Sequence, residues 1–211
     1  MTDTQKKPLW KNELVWLFLI TSGLFAILYS KFILGGYAYV YTDTGADTMQ
    51  INYAQYGLFS SLFRSGESGY VLQAGLGMDV SSYYPAYLIP YNLLILLAPQ
   101  RLLPWAVLAS AYLKMITISL VGYLFYRKLM QDGIGTMAAA LAWTFSGYVI
   151  LWGQHYGFCT CMALFTVFMY FLQCYLNGEQ RWKSAGLVIT VTMLLISSYY
   201  FLYMIAFFAV F

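Results

Sequence analysis

Four long apolar segments constrain the fold of this chain more than any other feature of its sequence. They cover about residues 14–34, 103–126, 135–153 and 157–176, and each reaches the roughly 20 residues that an α-helix needs to cross a bilayer. A fifth apolar stretch begins near Ala185 and continues to the end of the chain. Only 9% of the residues are charged, whereas soluble proteins carry roughly 25% to cover their surface. The sequence therefore predicts an all-α integral membrane protein with about five transmembrane helices.

The apolar stretch from Ala86 to Ala98 decides the topology. It is short for a spanning helix and contains Pro90 and Asn92, so we predict that it lies along the bilayer surface. Basic residues gather at the cytosolic ends of transmembrane helices. If residues 1–13 form a cytosolic tail, the basic residues after the second and fourth spans are cytosolic as well. These residues are Arg127, Lys128, Arg181 and Lys183.

In this topology, residues 35–102 form a long extracytoplasmic loop that carries short interfacial helices. Residues 14–34 form the first span, and residues 103–211 hold the remaining spans. The apolar run at the end of the sequence has no polar flank. We therefore expect the whole chain to be the N-terminal part of one larger polytopic membrane domain.

Acidic residues that could carry chemistry lie in the predicted outer loop. Asp43, Asp47 and Asp79 occur there among Tyr and Gly residues. A carboxylate near a bilayer surface can have its pKa tuned for work as a general base. The same residues also suit Asx-turns or helix N-caps. The turn interpretation is favoured for Asp43, and the two interpretations are balanced for Asp47.

Two further polar residues are candidates, the single His155 and Lys114. His155 lies between the third and fourth spans, on the predicted side of Asp47, although a lone loop histidine is more often structural than catalytic. Lys114 lies within the second span, where a charge is costly and marks a functional position. It would contact a lipid phosphate or pair with a carboxylate.

Cys159, Cys161 and Cys174 fit apolar packing rather than a zinc site. The sequence has no P-loop and no basic patch for nucleic acid.

Several short elements, taken in order, resemble the bacterial YfhO family of membrane proteins. An Asp-x-x-Gln element with a following Tyr is matched by Asp47, Gln50 and Tyr53, and a Gly-Leu-Gly-x-Asp element is matched by residues 75–79. The later matches are Tyr83-Tyr84, Pro90-Tyr91-Asn92-Leu93-Leu94, Phe145-Ser146-Gly147-Tyr148, His155 and Ser198-Tyr199-Tyr200-Phe201. The likeness runs from about residue 14 to the end, and family members are several times longer than this chain.

The resemblance implies a multi-pass GT-C-type glycosyltransferase of the bacterial plasma membrane. Such an enzyme would move a sugar from a polyprenyl-phosphate carrier to a cell-envelope polymer, such as a teichoic acid, on the outer face. Asp47 is the candidate general base, with Asp43 and Asp79 as alternatives. No cofactor is required, although a divalent cation is compatible with the chemistry. The candidate substrate-binding residues are Gln50, Tyr53, Arg64, Asp79, Tyr83, Tyr84, Lys114 and His155.

The alternatives are a transporter or flippase of lipid-linked sugars and a membrane protein without catalysis. A transporter would depend more on Lys114 than on Asp47, whereas a scaffold would tolerate substitution of both Asp47 and His155. The sequence shows no internal repeat typical of inverted-repeat transporters, and its polar residues concentrate on one face. Both features favour the enzyme. We expect residues 1–211 to be inactive alone, because a substrate cleft would need further helices.

Overall fold

The protein is built almost entirely from helices. The computed structural model describes residues 12–40, 47–72, 74, 77–130, 132–179 and 181–210. Three of the described helices are long and apolar enough to cross a membrane, namely Gln100–Leu129, Gly133–Trp152 and Tyr156–Leu176. Two shorter helices, Glu13–Leu28 and Tyr199–Ala209, are also apolar. The predicted all-α membrane class is confirmed.

The first apolar segment is divided into two helices. Helix α1 (Glu13–Leu28) begins after Asn12, whose side chain accepts a hydrogen bond from the Leu14 amide at 3.1 Å. It ends at Tyr29, and the short α2 (Ser30–Leu34) follows. The buried hydroxyls of Thr21 and Ser119 lie 2.7 Å apart and connect α1 with the long helix Gln100–Leu129. A hydrogen bond of this kind between packed helices helps to fix their register in a bilayer.

Short elements occupy the region between the first and second spans. They are a π-helix (Thr48–Tyr53), α3 (Ala54–Ser65), β1 (Tyr70–Val71), β2 (Met78–Asp79), α4 (Tyr84–Tyr87), α5 (Pro90–Leu97) and a 3-10 turn (Gln100–Leu102). The two strands pair antiparallel, Tyr70 with Asp79 and Val71 with Met78. Helix α5 is roughly 12 Å long at 1.5 Å per residue. It is too short to cross a hydrocarbon core of about 30 Å.

Helix α6 (Leu103–Leu129) is the centre of the bundle. It packs against α1, α5, α7 (Gly133–Thr144) and α9 (Tyr156–Leu176). Its residues Met115 and Ile118 are almost completely buried in the main core. The third predicted span is interrupted, because α7 ends at Thr144 and α8 (Gly147–Trp152) begins two residues after Phe145.

The last apolar stretch forms two helices, not the single helix that the sequence predicts. Helix α10 (Arg181–Ser197) returns along α9 after a short turn, and α11 (Tyr199–Val210) reverses direction at Ser198. The Phe158 ring lies 5.1 Å from Phe201, and the Phe165 ring lies 5.7 Å from Phe208. Because both partners advance together along the chain, α11 runs parallel to α9. Helices α10 and α11 are therefore a hairpin.

One end of the bundle collects basic residues. Glu179 forms ion pairs with Lys128 at the end of α6 and with Lys183 in the first turn of α10. These hydrogen bonds from Lys128 and Lys183 lower the pKa of Glu179 to about 2. Arg127 directly precedes Lys128, and Arg181 lies two residues before Lys183. The π-helix, α3, α4 and α5 lie at the opposite end. The positive-inside rule predicts that the end with Glu179 faces the cytosol.

Candidate functional site

Asp47 lies at the entrance to the π-helix. Its backbone is already helical, with φ −59° and ψ −37°, and its side chain makes no capping hydrogen bond to this helix. The side chain is solvent-exposed. π-helical turns are rare and occur frequently at functional sites. Of the two interpretations of Asp47, the structure thus gives no support to the N-cap. Asp43 lies outside the described residues.

Asn52 connects the Asp47 segment with His155. Its Nδ2 donates to the main-chain oxygen of Asp47 at 3.2 Å and lies 3.5 Å from Nδ1 of His155. For Asn52 to donate to Nδ1, that nitrogen must be unprotonated, so Nε2 carries the ring proton. The His155 ring also packs against Trp152 at 5.5 Å and Phe158 at 5.2 Å. The structure brings Asp47 and His155 to one place, as the predicted topology requires.

Sequence reasoning missed Asn52 as a functional candidate. It follows Asp47 by five residues, which is close to the spacing of hydrogen-bonded residues in a π-helix. Its amide is one of two in this short helix, the other being Gln50. A polar side chain at that spacing from a candidate base is the signal that could have identified it.

A cavity of about 230 Å³ opens beside Asn52. Its walls come from the π-helix and α3, from the segment of α4 and α5, and from the facing ends of α9 and α10. Side-chain amides, phenols and aliphatic hydroxyls supply its polar lining, and the described residues around it include no charged side chain. The polar lining residues are Asn52, Gln55, Asn92, Tyr56, Tyr83, Tyr87, Thr160 and Ser197.

The wall formed by Tyr56 is rigidly held. Its ring stacks on Tyr156 at 5.2 Å with an interplanar angle of 11°. Its hydroxyl donates to Oδ1 of Asn92 at 3.1 Å, and Nδ2 of Asn92 donates to the Ala86 carbonyl at 3.2 Å. Burial raises the pKa of Tyr56 well above its usual value, so its hydroxyl keeps its proton at neutral pH. Both the side-chain oxygen and the side-chain nitrogen of Asn92 are hydrogen-bonded within the protein. Asn92 therefore shapes the cavity wall and is not a main partner for a ligand.

Tyr87 and Gln55 form the adjoining wall, with the Tyr87 ring edge-to-face against Tyr56 at 5.7 Å. The Tyr87 ring stacks on Phe59 at 4.0 Å and 19°, and its hydroxyl donates to Oε1 of Gln55 at 3.2 Å. Burial raises the pKa of Tyr87, so this hydroxyl also remains a donor. The hydrogen bond fixes the Gln55 amide with its oxygen toward Tyr87.

Of the eight predicted substrate-binding residues, only Tyr83 belongs to the lining of this cavity. Gln50 is exposed on the π-helix, and Tyr53 packs against the main core, where burial raises its pKa. Arg64 lies in the last turn of α3. Since residues 47–65 are one continuous helical segment, Arg64 is roughly 25 Å from Asp47 along the axis. The structure thus separates Arg64 from the candidate base.

Asp79 and Tyr84 belong to the small hairpin region. Oδ1 of Asp79 accepts the Ser81 amide at 3.0 Å, and the hydrogen bonds from Ser81 lower the pKa of Asp79. This is the geometry of an Asx-turn. The hydroxyl of Tyr84 donates to the Glu67 carbonyl at 2.6 Å. Its neighbour Tyr83 does line the cavity. Residues 75 and 76 of the glycine-rich element lie outside the described residues.

Lys114 is only 2% exposed and lies behind the cavity wall. Its Nζ donates to the main-chain oxygen of Tyr156 at 3.1 Å, and this oxygen also accepts Thr160 Oγ1 at 3.0 Å. Both ion pairs found among the described residues involve Glu179, and Lys114 takes part in neither. The carboxylate partner considered for Lys114 is thus replaced, in the described part of the chain, by a backbone carbonyl.

The described residues contain no group of three or more His, Cys, Asp and Glu side chains that could hold a metal ion. The three cysteines are buried and not joined by disulfides. Their positions in α9 agree with apolar packing.

Comparison with known protein families shows which family the chain belongs to. A family model for the bacterial membrane protein YfhO matches residues 17–211. The chain belongs to the YfhO family. The matched range contains Asp47, Asn52 and His155 together with the walls of the cavity, and it identifies the protein as a bacterial membrane protein. Searches of the curated proteins and of the solved structures returned no match.

Proposed function

We propose that this YfhO-family protein acts in glycosyl transfer as a GT-C-type membrane enzyme. It moves a sugar from a polyprenyl-phosphate carrier to a cell-envelope polymer on the outer face of the plasma membrane. The observation that carries this proposal is the hydrogen-bonded connection from Asp47 through Asn52 to His155, at the edge of a cavity with a polar lining. An exposed carboxylate, a histidine and a polar cavity are groups that sugar transfer from a phosphate to a hydroxyl can use.

Asp47 serves as the general base in this proposal. Its carboxylate takes the proton of an acceptor hydroxyl while the hydroxyl oxygen forms a bond to the anomeric carbon of the donor sugar. The bond between that carbon and the phosphate oxygen breaks, and the phosphate leaves with the electron pair. One displacement inverts the configuration at the anomeric carbon. A positioned base contributes typically ~10²–10⁴-fold to the rate.

The leaving phosphate requires hydrogen-bond donors or positive charge. His155 is the candidate for this role, because it is tied through Asn52 to the Asp47 segment and carries its ring proton on Nε2 when Asn52 donates to Nδ1. Arg64 lies at the far end of α3, and Lys114 donates to the main-chain oxygen of Tyr156, outside the cavity lining. Neither is placed to meet a phosphate beside Asp47.

Transfer by membranes that contain the full-length protein tests the proposal. The membranes are incubated with a panel of radiolabelled polyprenyl-phosphate sugars, and label in the polymer fraction is counted. Asp47→Asn should lower transfer by ~10²–10⁴-fold, because the amide cannot accept the proton. Glu67→Gln is the matched control. Glu67 is an exposed acid on the same outer region, and its known contact uses the main-chain oxygen. Unchanged transfer by Asp47→Asn would remove Asp47 from the base role.

Transport of a lipid-linked sugar is the second candidate, since Lys114 lies buried inside the bundle. A transporter would pass its substrate along the bundle, so Lys114→Met would then reduce function more than Asp47→Asn. The contact of Lys114 with a backbone carbonyl, outside the cavity lining, favours the transferase.

A further inference from the structure

We propose that the cavity beside Asn52 binds a single uncharged sugar ring, with Gln55 and Asn52 as its main hydrogen-bonding partners. The proposal rests on the proposed glycosyl transfer for its biological meaning, and it adds the site and the charge class of the sugar. Binding itself needs no turnover, so it can be measured separately.

The lining of the cavity excludes ionic ligands. Its polar groups are amides, phenols and hydroxyls, and its described lining residues include no Asp, Glu, Lys, Arg or His. A uronate carboxylate or a phosphate in this space would lose part of its hydration without gaining a counter-charge from the lining, which is unfavourable. A neutral polyol loses less, because each hydroxyl exchanges hydrogen bonds with water for hydrogen bonds with the lining.

The size of the cavity suits one six-membered ring. An apolar cavity of about 150 Å³ is sufficient to hold benzene, and this cavity measures about 230 Å³. The additional volume accommodates the hydroxyl groups that distinguish a pyranose from benzene. Two linked rings would have to extend outside.

Two amides present complementary groups to such a ring. Oε1 of Gln55 is occupied by the Tyr87 hydroxyl, and within the described part of the chain Nε2 of Gln55 has no partner. In Asn52 the amide nitrogen is the occupied group, since Nδ2 contacts the Asp47 carbonyl and His155. Among the described contacts, its Oδ1 can therefore accept a hydrogen bond from a ligand. Residues three apart on a helical segment share one face. A sugar hydroxyl can both donate and accept, so neighbouring hydroxyls match this pair.

The aromatic walls suit the apolar face of a sugar. Tyr87 is held in place by Phe59 and by Gln55, and Tyr83 adds a half-exposed ring. Aromatic rings held in fixed positions bind with little loss of side-chain entropy. A ring bound here lies next to Asn52, and hence one hydrogen bond from the Asp47 backbone. The cavity therefore adjoins the helical turn that begins at the candidate base.

Equilibrium binding to the purified full chain in lipid nanodiscs tests the inference. The probes are methyl β-D-glucopyranoside and the corresponding methyl glucuronoside, which differ by a carboxylate. We expect the glucoside to bind at least tenfold more tightly than the glucuronoside at pH 7. Saturation-transfer NMR reports the bound ring directly, and unfolding temperatures confirm that each variant is folded.

Gln55→Leu should weaken glucoside binding by roughly three- to tenfold, the contribution of an ordinary hydrogen bond. Gln173→Leu is the matched control, because it makes the same chemical change on a partly exposed glutamine of α9 near the opposite end of the bundle. That variant should bind within twofold of the unchanged protein. Tyr87→Phe keeps the ring while removing the hydroxyl that orients Gln55, and it should weaken binding by a similar factor to Gln55→Leu.

Three results would overturn the inference: no glucoside binding, glucuronoside binding of equal strength, or equal binding by Gln55→Leu and unchanged protein. Failure of the proposed function appears differently. Asp47→Asn should lose transfer but keep glucoside binding, since its side chain does not line the cavity. Retained transfer in Asp47→Asn with binding that depends on Gln55 would refute the base and leave the sugar site intact.

Discussion

Replacing the buried lysine of α6 should stabilise the protein. Lys114 is 2% exposed, and the partner of its Nζ is the main-chain oxygen of Tyr156 at 3.1 Å. An ammonium group without a nearby anion loses its hydration at a cost of several kcal/mol, which one carbonyl does not restore. Methionine has a similar length and no charge, and it adapts to irregular surroundings. Lys114→Met therefore removes the desolvation penalty and keeps most of the packing.

The expected gain in stability depends on whether the carbonyl that Lys114 contacts keeps a hydrogen-bond donor. The Tyr156 carbonyl still accepts the hydroxyl of Thr160 at 3.0 Å, so the substitution leaves no buried acceptor without a partner. Replacement of buried charges by apolar side chains of similar volume is often neutral or stabilises proteins by ~1–4 kcal/mol. Each kcal/mol corresponds to about 2–4 °C in a protein of this size. We expect the unfolding temperature of Lys114→Met to rise by at least about 2 °C.

Thermal unfolding in a mild detergent provides the assay. Lys31→Met is the control, because Lys31 is exposed on α2 and an exposed substitution usually changes stability by less than about 0.5 kcal/mol. A lower unfolding temperature for Lys114→Met than for Lys31→Met would refute the reasoning and show that the contact with Tyr156 is structural. A stabilised variant with reduced transfer would show that a costly charge is retained for function.

Two further predictions concern the ends of the bundle. The low pKa of Glu179, about 2, means that its ion pairs contribute stability fully above its unfolded pKa of about 4.3 and lose it as the pH falls toward 2. The difference in unfolding temperature between the unchanged protein and Glu179→Gln should therefore shrink over that interval, and a constant difference would contradict the assignment. A membrane-impermeant maleimide should label Met49→Cys in intact cells but Leu129→Cys only after permeabilisation. Native thiols should add little background because all three are buried, and the reverse pattern would contradict the topology.

The sequence alone was sufficient to predict the membrane class and the broad arrangement. Apolar segments near 20 residues and a low fraction of charge leave few alternatives to transmembrane helices. The breaks at Tyr29, Phe145 and Ser198 were not visible in it. Polar residues lie at or beside each break (Ser30, Ser146 and Ser197), but apolar residues resume on both sides, and hydropathy does not distinguish one long helix from two helices joined by one or two residues. Only the aromatic contacts of α11 with α9 reveal the reversal at Ser198.

Part of the candidate site could likewise be predicted from the sequence, and part is visible only in the structure. Asp47 and His155 could be selected from the sequence because titratable side chains are scarce in this apolar chain. Asn52, Gln55 and Asn92 have ordinary polar side chains, and their spacing gave no sign of a shared cavity. That cavity exists because the ends of α9 and α10 pack against α3, α4 and α5, elements far apart in sequence. Local sequence sets which segments enter the membrane, whereas contacts between distant segments depend on how complete helices pack together.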